Sequence, residues 1–334
     1  MAWTAGQVVQ RLYKLKAPKV LAFACLLLLW NTSIDHSQEL FFIESFAGNA
    51  EATRSVQSTF PQRMAVALDL KYSETLDINS NSGMGAALVA VLKGDADGFV
   101  HWMGIQCSTW IGTSRGSTGR SKSNPLGVDS ESNRRANLMT ARLALLCLLT
   151  VALNGTFVIE QPISSLIMHH PRMQCLHASF EIYRCGFWMW WYGARTPKRT
   201  VLWSSSRAVG QFWTRRLQRV KVEQARALDP NPPQPVKKYK DSEGKPRYHG
   251  TADLTKTEHY PKGFGKKIAS LLQLLKPRCE YVSHDDDVDS IKLFESWPWD
   301  DWEDVQLRPL IHYLYGSTSL RIPVEWRPVL PKHF

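Results

Sequence analysis

Two side chains in this sequence, Cys107 and Glu160, have the type and placement for covalent chemistry. Three cations at a later turn, Arg195, Lys198 and Arg199, have the type to assist it. Cys107 closes the apolar run Phe99, Val100, Trp102, Met103, Ile105, and Glu160 closes Thr156-Phe157-Val158-Ile159 just before Gln161-Pro162. Runs rich in aromatic and β-branched residues read as buried strands, and open α/β sheets bind ligands at the carboxyl ends of their strands. A thiol at such an end becomes a nucleophile once ionised. Its ordinary pKa is about 8.5, so Arg115, Arg195, Lys198 or Arg199 nearby would favour the thiolate. A carboxylate there is costly to bury unless it is paired or used. From residue type alone, Cys107 also reads as a small buried apolar residue and Glu160 as a solvated strand end.

A second group of residues has the pattern of a nucleotide cradle. The short apolar strand Leu40 to Ile43 runs into Glu44-Ser45-Phe46-Ala47-Gly48-Asn49-Ala50 and then a helix. Glycine lets the backbone approach a ligand, and the helix start offers free N–H groups. The fuller glycine motif is absent, with Ala50 where a second glycine would stand. The next strand, Met64 to Leu68, ends in Asp69, about 20 residues past Gly48, a spacing at which an acid can take a ribose diol. Asp77, in Leu76-Asp77-Ile78, is a third acid that suits either a ligand or a helix cap.

The elements that must position these residues follow from composition. The chain has 334 residues, 44% hydrophobic and 11% aromatic, enough for one large core or a core plus a smaller domain. Six cysteines without a CxxC pair argue for a reduced compartment and against a zinc ribbon or secreted scaffold, and no metal site is expected. The formal net charge of +11 favours a polyanionic partner. Residues 195–279 hold 20 Lys/Arg against 6 Asp/Glu and form the phosphate-binding candidate, with a solvated basic surface as the alternative. Residues 280–304 reverse the sign, with ten acids against Lys292 and with Trp297, Trp299 and Trp302 interleaved. Such a segment suits either the chain's own basic surface or a protein partner.

Val20 to Trp30 is an eleven-residue apolar run, too short for a bilayer, and is expected as a helix buried on the core, with a signal or surface anchor as alternatives. The loop Gly112 to Gly127, rich in Gly, Ser and cations, is expected as a mobile lid. Asn133 to Asn154 reads as a long apolar helix stopped by Asn154-Gly155. Phe187 to Ser206 reads as two strands around a Gly/Pro turn, its aromatic run serving core packing before base stacking.

In their order along the chain these motifs resemble those of DNA cytosine-5 methyltransferases. Glu44-Ser-Phe-Ala-Gly48 is similar to that family's cofactor motif, Leu76-Asp77-Ile78 to its segment near the adenine, Gly104-Ile-Gln-Cys107 to its Gly-Pro-Pro-Cys motif, and Phe157-Val-Ile-Glu160-Gln-Pro162 to its Glu-Asn motif. Tyr192-Gly-Ala-Arg195-Thr-Pro-Lys198-Arg199-Thr200 is similar to its arginine-bearing turn, and Tyr260-Pro261-Lys-Gly-Phe264-Gly is a weaker echo further on. The match spans about residues 39–206. Gln106 replaces the proline before the nucleophile, Gln161 replaces asparagine, and the arginine pattern is shifted.

The resemblance implies a doubly wound, mostly parallel α/β sheet of the class I methyltransferase type with a smaller basic C-terminal region. Taken with the apolar run and the charge distribution, it divides the chain into a helix at 1–36, a catalytic domain at 37–206, a basic recognition region at 207–279 and an acidic aromatic segment at 280–334. It implies S-adenosylmethionine held by Phe46, Ala47, Gly48, Asp69, Asp77 and Ile78, and catalysis by Cys107, Glu160, Arg195, Lys198 and Arg199. It further implies nucleic acid as partner, DNA before RNA, without a membrane, in an intracellular and preferably nuclear setting. The thiolate would add to carbon 6 of cytosine while protonated Glu160 bonds N3. The rival of another class is a methyltransferase-like nucleic-acid binder without turnover. An amino-methylating enzyme would need an aromatic after its Pro-Pro, and Asn231-Pro-Pro-Gln234 lacks it. A cysteine hydrolase would need a paired histidine, and His101 lies about 20 Å back along the strand.

Overall fold

A computed structural model describes residues 3–276, 289–299 and 302–331. Cys279 and the acids at 280, 285–287, 300 and 301 lie outside the described residues. The chain starts with two helices, α1 (Ala5–Lys14) and α2 (Lys19–Leu29), and then alternates strand and helix. β1 (Leu40–Ser45), α3 (Glu51–Thr59), β2 (Met64–Leu68), α4 (Asn81–Leu92) and β3 (Phe99–Met103) lead to the short α5 (Arg115–Thr118) and the long α6 (Glu131–Ala152). β4 (Gly155–Pro162), α7 (Pro171–Ser179), β5 (Tyr183–Trp188) and β6 (Arg199–Ser204) complete one sheet.

The sheet has six strands in the order β2-β1-β3-β4-β6-β5. The first four are parallel, and β6 runs antiparallel to both its neighbours. This is an α/β fold built on a mostly parallel sheet, an arrangement compatible with a Rossmann-like fold. Chain progression reverses between β1 and β3, so the carboxyl ends of these two strands flank the crevice where such sheets bind ligands. β1 and β3 are buried at every position, and β4 at all but Pro162. Near-continuous burial is the consequence of covering both faces of a parallel sheet. Ile43, Met103 and Ile159 face one core with α2, α4 and α6, whereas Phe42, Trp102 and Val158 face a second core with α3 and a late helix.

That late helix is α10 (Lys262–Leu275), reached through α8 (Arg219–Leu228), the hairpin β7 (Val236–Lys240) and β8 (Pro246–Gly250), and α9 (Ala252–Lys256). α10 packs along α3 and buries Phe264, Ile268 and Leu272. It therefore belongs to the layer flanking the sheet, while β7 is exposed at every position. Among the described cations of this region, Lys237, Lys238 and Lys240 stand on the exposed hairpin, whereas Lys262, Lys266 and Lys267 belong to the helix packed along α3.

The two ends of the chain share the first core. Leu21 to Leu28 of α2 are all 2% exposed or less. Against α1 and α2 pack α11 (Ser290–Ser296) and α12 (Arg308–Tyr315). The Lys19 ammonium donates to Trp297 O at 2.7 Å and sits 4.6 and 4.8 Å from the rings of Phe294 and Trp299. Arg172 grips both carboxylate oxygens of Asp304. The described part of 280–334 therefore packs on the first core: Phe294, Trp297 and Trp326 are buried there, while Trp299 and Tyr313 stay exposed. α6 is long and apolar enough to cross a membrane, but 67% of its apolar window is buried here, against α4, α7 and β4.

Candidate functional site

Glu160 sits on β4 opposite Leu202 of β6, its side chain 8% exposed. Lys198, just before β6, places Nζ 3.4 Å from Glu160 Oε1. From the other side Tyr260 Oη donates to Oε2 at 3.4 Å and itself accepts from Trp102 Nε1 at 3.1 Å. Cys107 is half-buried in the turn after β3, which Trp110 N closes by donating to Cys107 O at 2.9 Å. The Gln161 amide, next to Glu160, donates to Ile105 O, and its own carbonyl accepts from Ser165 Oγ at 2.9 Å. Gln161 thereby ties the cysteine loop to the strand that carries the acid.

Gly104 explains how close these pieces lie. A Cβ there would stand 2.8 Å from Tyr260 Oη and 3.4 Å from Phe46 O, so only glycine lets the β1 loop, the β3 loop and Tyr260 meet. The charges act on one another as well. Burial pushes the Cys107 thiol up to about 11, Lys198 pulls it down, and Glu160 and Glu258 push it further up.

A cleft of about 250 Å³ opens beside this cluster, lined by Gly193, Arg195, Lys198, Lys256, His259 and Tyr260 among others. Of the three cations at this turn, Lys198 is the one paired with Glu160. Arg195 forms the cleft's outer wall, 61% exposed, and bonds Asp229 at 2.7 Å and Asn231 O at 2.8 Å. Arg199 is exposed, 5.8 Å from the Trp188 ring, and is not among the lining residues.

On the β1 side the loop has an unusual backbone. Phe46, Gly48 and Ala50 all have positive φ, at 58°, 55° and 51°. Left-handed conformations in two non-glycine residues cost roughly 1–2 kcal/mol each and persist only when the surroundings impose them. The surroundings here are explicit. Asp69 accepts from Gly48 N at 2.8 Å and from Lys71 N at 2.7 Å, Tyr72 Oη donates to Gly48 O at 2.9 Å, and Ala47 N donates to Leu68 O at 3.2 Å. Glu44 anchors the helix that follows, accepting from Thr53 N at 2.8 Å and Thr53 Oγ1 at 2.6 Å, and burial pushes its carboxyl up to about 7.

Asp77 pairs with Arg135 at 3.2 Å and accepts from Asn79 N at 2.9 Å, while Ile78 is 4% exposed. Next to them both amide atoms of Asn79 are buried without a partner.

The Gly112–Gly127 loop is held at its centre, contrary to the mobile lid its composition suggests. Arg120 is 2% exposed, lies 3.5 Å over the Trp110 ring and donates to Pro125 O and to Asn137 Oδ1, the latter at 2.9 Å. His101 is a core residue, bonded to Ser45 Oγ at 2.8 Å and Thr150 Oγ1 at 3.0 Å, and burial holds its imidazole down at about 3. Tyr260, Gln161 and Trp102 enter the site without having been singled out as site residues in the sequence. Among the described residues no group of three His, Cys, Asp or Glu could hold a metal ion. Comparison with protein-family models, with curated proteins and with solved structures finds no match.

Proposed function

We propose that this protein transfers a methyl group from S-adenosylmethionine to carbon 5 of cytosine in nucleic acid through a covalent adduct at Cys107. The observation that carries this reading is a buried carboxylate paired with an ammonium at the carboxyl end of β4, near enough to the Cys107 thiol after β3 that both charges bear on its ionisation, beside the β1 loop. The cofactor, when bound, supplies an electrophilic methyl group. The residues at the β1 end fit it. Space above Gly48 is open, since a Cβ there would meet nothing within 4 Å, and a carboxylate with about four lone-pair directions lets Asp69 hold the loop and still accept ribose hydroxyls. The orphaned Asn79 amide beside Ile78 suits the polar edge of an adenine.

Cys107 and Glu160 act as a pair. Glu160 as a carboxylate holds the thiol protonated, so a proton passing from sulfur to Glu160 produces both working forms at once: a thiolate facing Lys198, and a carboxylic acid able to donate to N3 of the base. Sulfur then adds to carbon 6 as Glu160 gives its proton to N3, which makes carbon 5 nucleophilic. Carbon 5 would take the methyl group as the donor sulfonium departs as a neutral thioether. A water molecule would then take the carbon 5 proton while the C5–H electron pair re-forms the ring double bond, the C6–S bond breaks to free the Cys107 thiolate, and N3 returns its proton to Glu160. Tyr260 and Lys198 orient Glu160 while this happens.

The thiol held near 11 favours a second reading, a binder without turnover, because the thiolate fraction at pH 7 is on the order of 10⁻⁴ in this state. One experiment separates the two. Wild-type protein, cofactor and nucleic acid carrying fluorine at carbon 5 of cytosine should give a denaturant-resistant complex that C107A does not form. Cofactor binding with no adduct on any DNA or RNA would establish the binder.

A further inference from the structure

The aromatic run after β5 divides between two environments. Phe187 and Met189 are buried in the second core, whereas Trp188 and Trp191 are half-buried and Trp213, in the segment that follows Phe212, is 67% exposed. Segment 212–215 is laced along 188–192. Trp188 N donates to Thr214 Oγ1 at 2.9 Å, Trp191 Nε1 to Arg215 O at 3.0 Å, and Tyr192 Oη to Phe212 O at 2.8 Å. Guanidinium groups stand over two of these rings, the Arg215 carbon 4.2 Å from the Trp191 centroid and the Arg199 carbon 5.8 Å from that of Trp188. Residues 182–222 contain nine Lys/Arg and no Asp or Glu. The same segment continues into Gly193 and Arg195 on the cleft wall.

We propose that this face of Trp188, Trp191 and Trp213 with Arg199 and Arg215 is a stacking platform for the unpaired bases of a single-stranded nucleic acid that feeds the cleft at Lys198. Phosphates would be met by guanidinium groups in a duplex as well, but only an unpaired strand turns base faces toward exposed indole and guanidinium. An acid-free stretch is what the charge of such a strand requires. The inference rests on the nucleic-acid side of the function proposed above and not on the chemistry at Cys107.

The test is anisotropy of labelled 20-residue single-stranded DNA, single-stranded RNA and duplex DNA with the full chain, without cofactor. At least one single strand should bind about tenfold more tightly than the duplex, and which one binds better identifies the sugar. Trp213→Ala, a change at an exposed side chain, should weaken single-strand binding about tenfold, the effect of one lost base stack. Arg199→Gln with Arg215→Gln should flatten the log–log salt slope by about 1.4, or roughly 0.7 per phosphate contact. Equal affinity for duplex and single strands, or an unchanged single-strand affinity in Trp213→Ala, overturns the platform. Methylation of a duplex would survive that result, and the platform would survive a failure of the adduct experiment.

Discussion

At Cys107 the decisive quantity is the free energy of ionising one thiol, and three named charges set it in opposite directions. Lys198 stabilises the thiolate, while Glu160 and Glu258 oppose it against a background of burial. Removing the Glu160 charge while keeping its shape, Glu160→Gln, should therefore lower the thiol pKa, and Lys198→Met should raise it. The pH dependence of Cys107 alkylation by iodoacetamide reads this directly, with the other cysteines controlled by Cys107→Ala. Identical profiles in the Glu160→Gln and wild-type proteins would mean that the two groups do not share a proton, and the paired mechanism would fall. The placement of Cys107, Glu160 and Lys198 at strand ends is legible in the sequence because each follows or precedes a strand-forming run. Tyr260 was less so, since its contact with Glu160 spans 100 residues and depends on α10 packing against the sheet. Gln161 looked like a departure from a motif and turns out to bind the cysteine loop through its amide.

Among the elements, the β1–α3 loop carries the clearest mechanical consequence. Its φ values at Phe46, Gly48 and Ala50 are held by Asp69, which bonds Gly48 N, and by Tyr72, which bonds Gly48 O. Asp69→Ala should release that loop and weaken S-adenosylmethionine binding at least tenfold by calorimetry. Gly48→Ala meets no neighbour and costs only the left-handed strain, about 1–2 kcal/mol of stability. Undiminished cofactor affinity in Asp69→Ala would remove the cradle. The strand and its glycine could be read from the apolar run and the turn residue, whereas positive φ at Phe46 and Ala50 is imposed by bonds from the β2 end that no local pattern announces. The Gly112–Gly127 loop shows the converse. Its composition suggests mobility, yet the buried Arg120 guanidinium on Trp110 and the Asn133 and Asn137 amides of α6, bonded to Thr118 O and Leu126 O, hold it, and these are tertiary contacts. In 280–304 the acids dominate the composition, but Phe294 and Trp297 determine where the described part packs.

For the whole molecule, three buried titratable groups make stability depend on pH with competing signs. His101 and His170 are held at about 3 and about 4 in the fold, below their ordinary 6.5, so the unfolded chain binds more protons and stability falls as pH drops from 6.5. Glu44 is raised from 4.5 to about 7, so its contribution is complete below 4.5 and is lost as pH rises toward 7. At pH 5.5 the two histidines together steepen the rise of stability with pH by about 2 kcal/mol per unit, and Glu44 cancels about half of it. Glu44→Gln keeps an acceptor for Thr53 N and cannot ionise, so it should steepen the slope of unfolding free energy against pH by about 1 kcal/mol per unit between pH 5 and 6. Denaturant titrations at pH 5.0, 5.5 and 6.0 measure that slope. Because Glu44 joins β1 to α3, and His101 joins β1 and β3 to α6 through Ser45 and Thr150, the comparison reports on the crevice walls themselves. Parallel lines for the two proteins would mean that Glu44 titrates as an ordinary carboxylate, and that water reaches the base of the β1 loop.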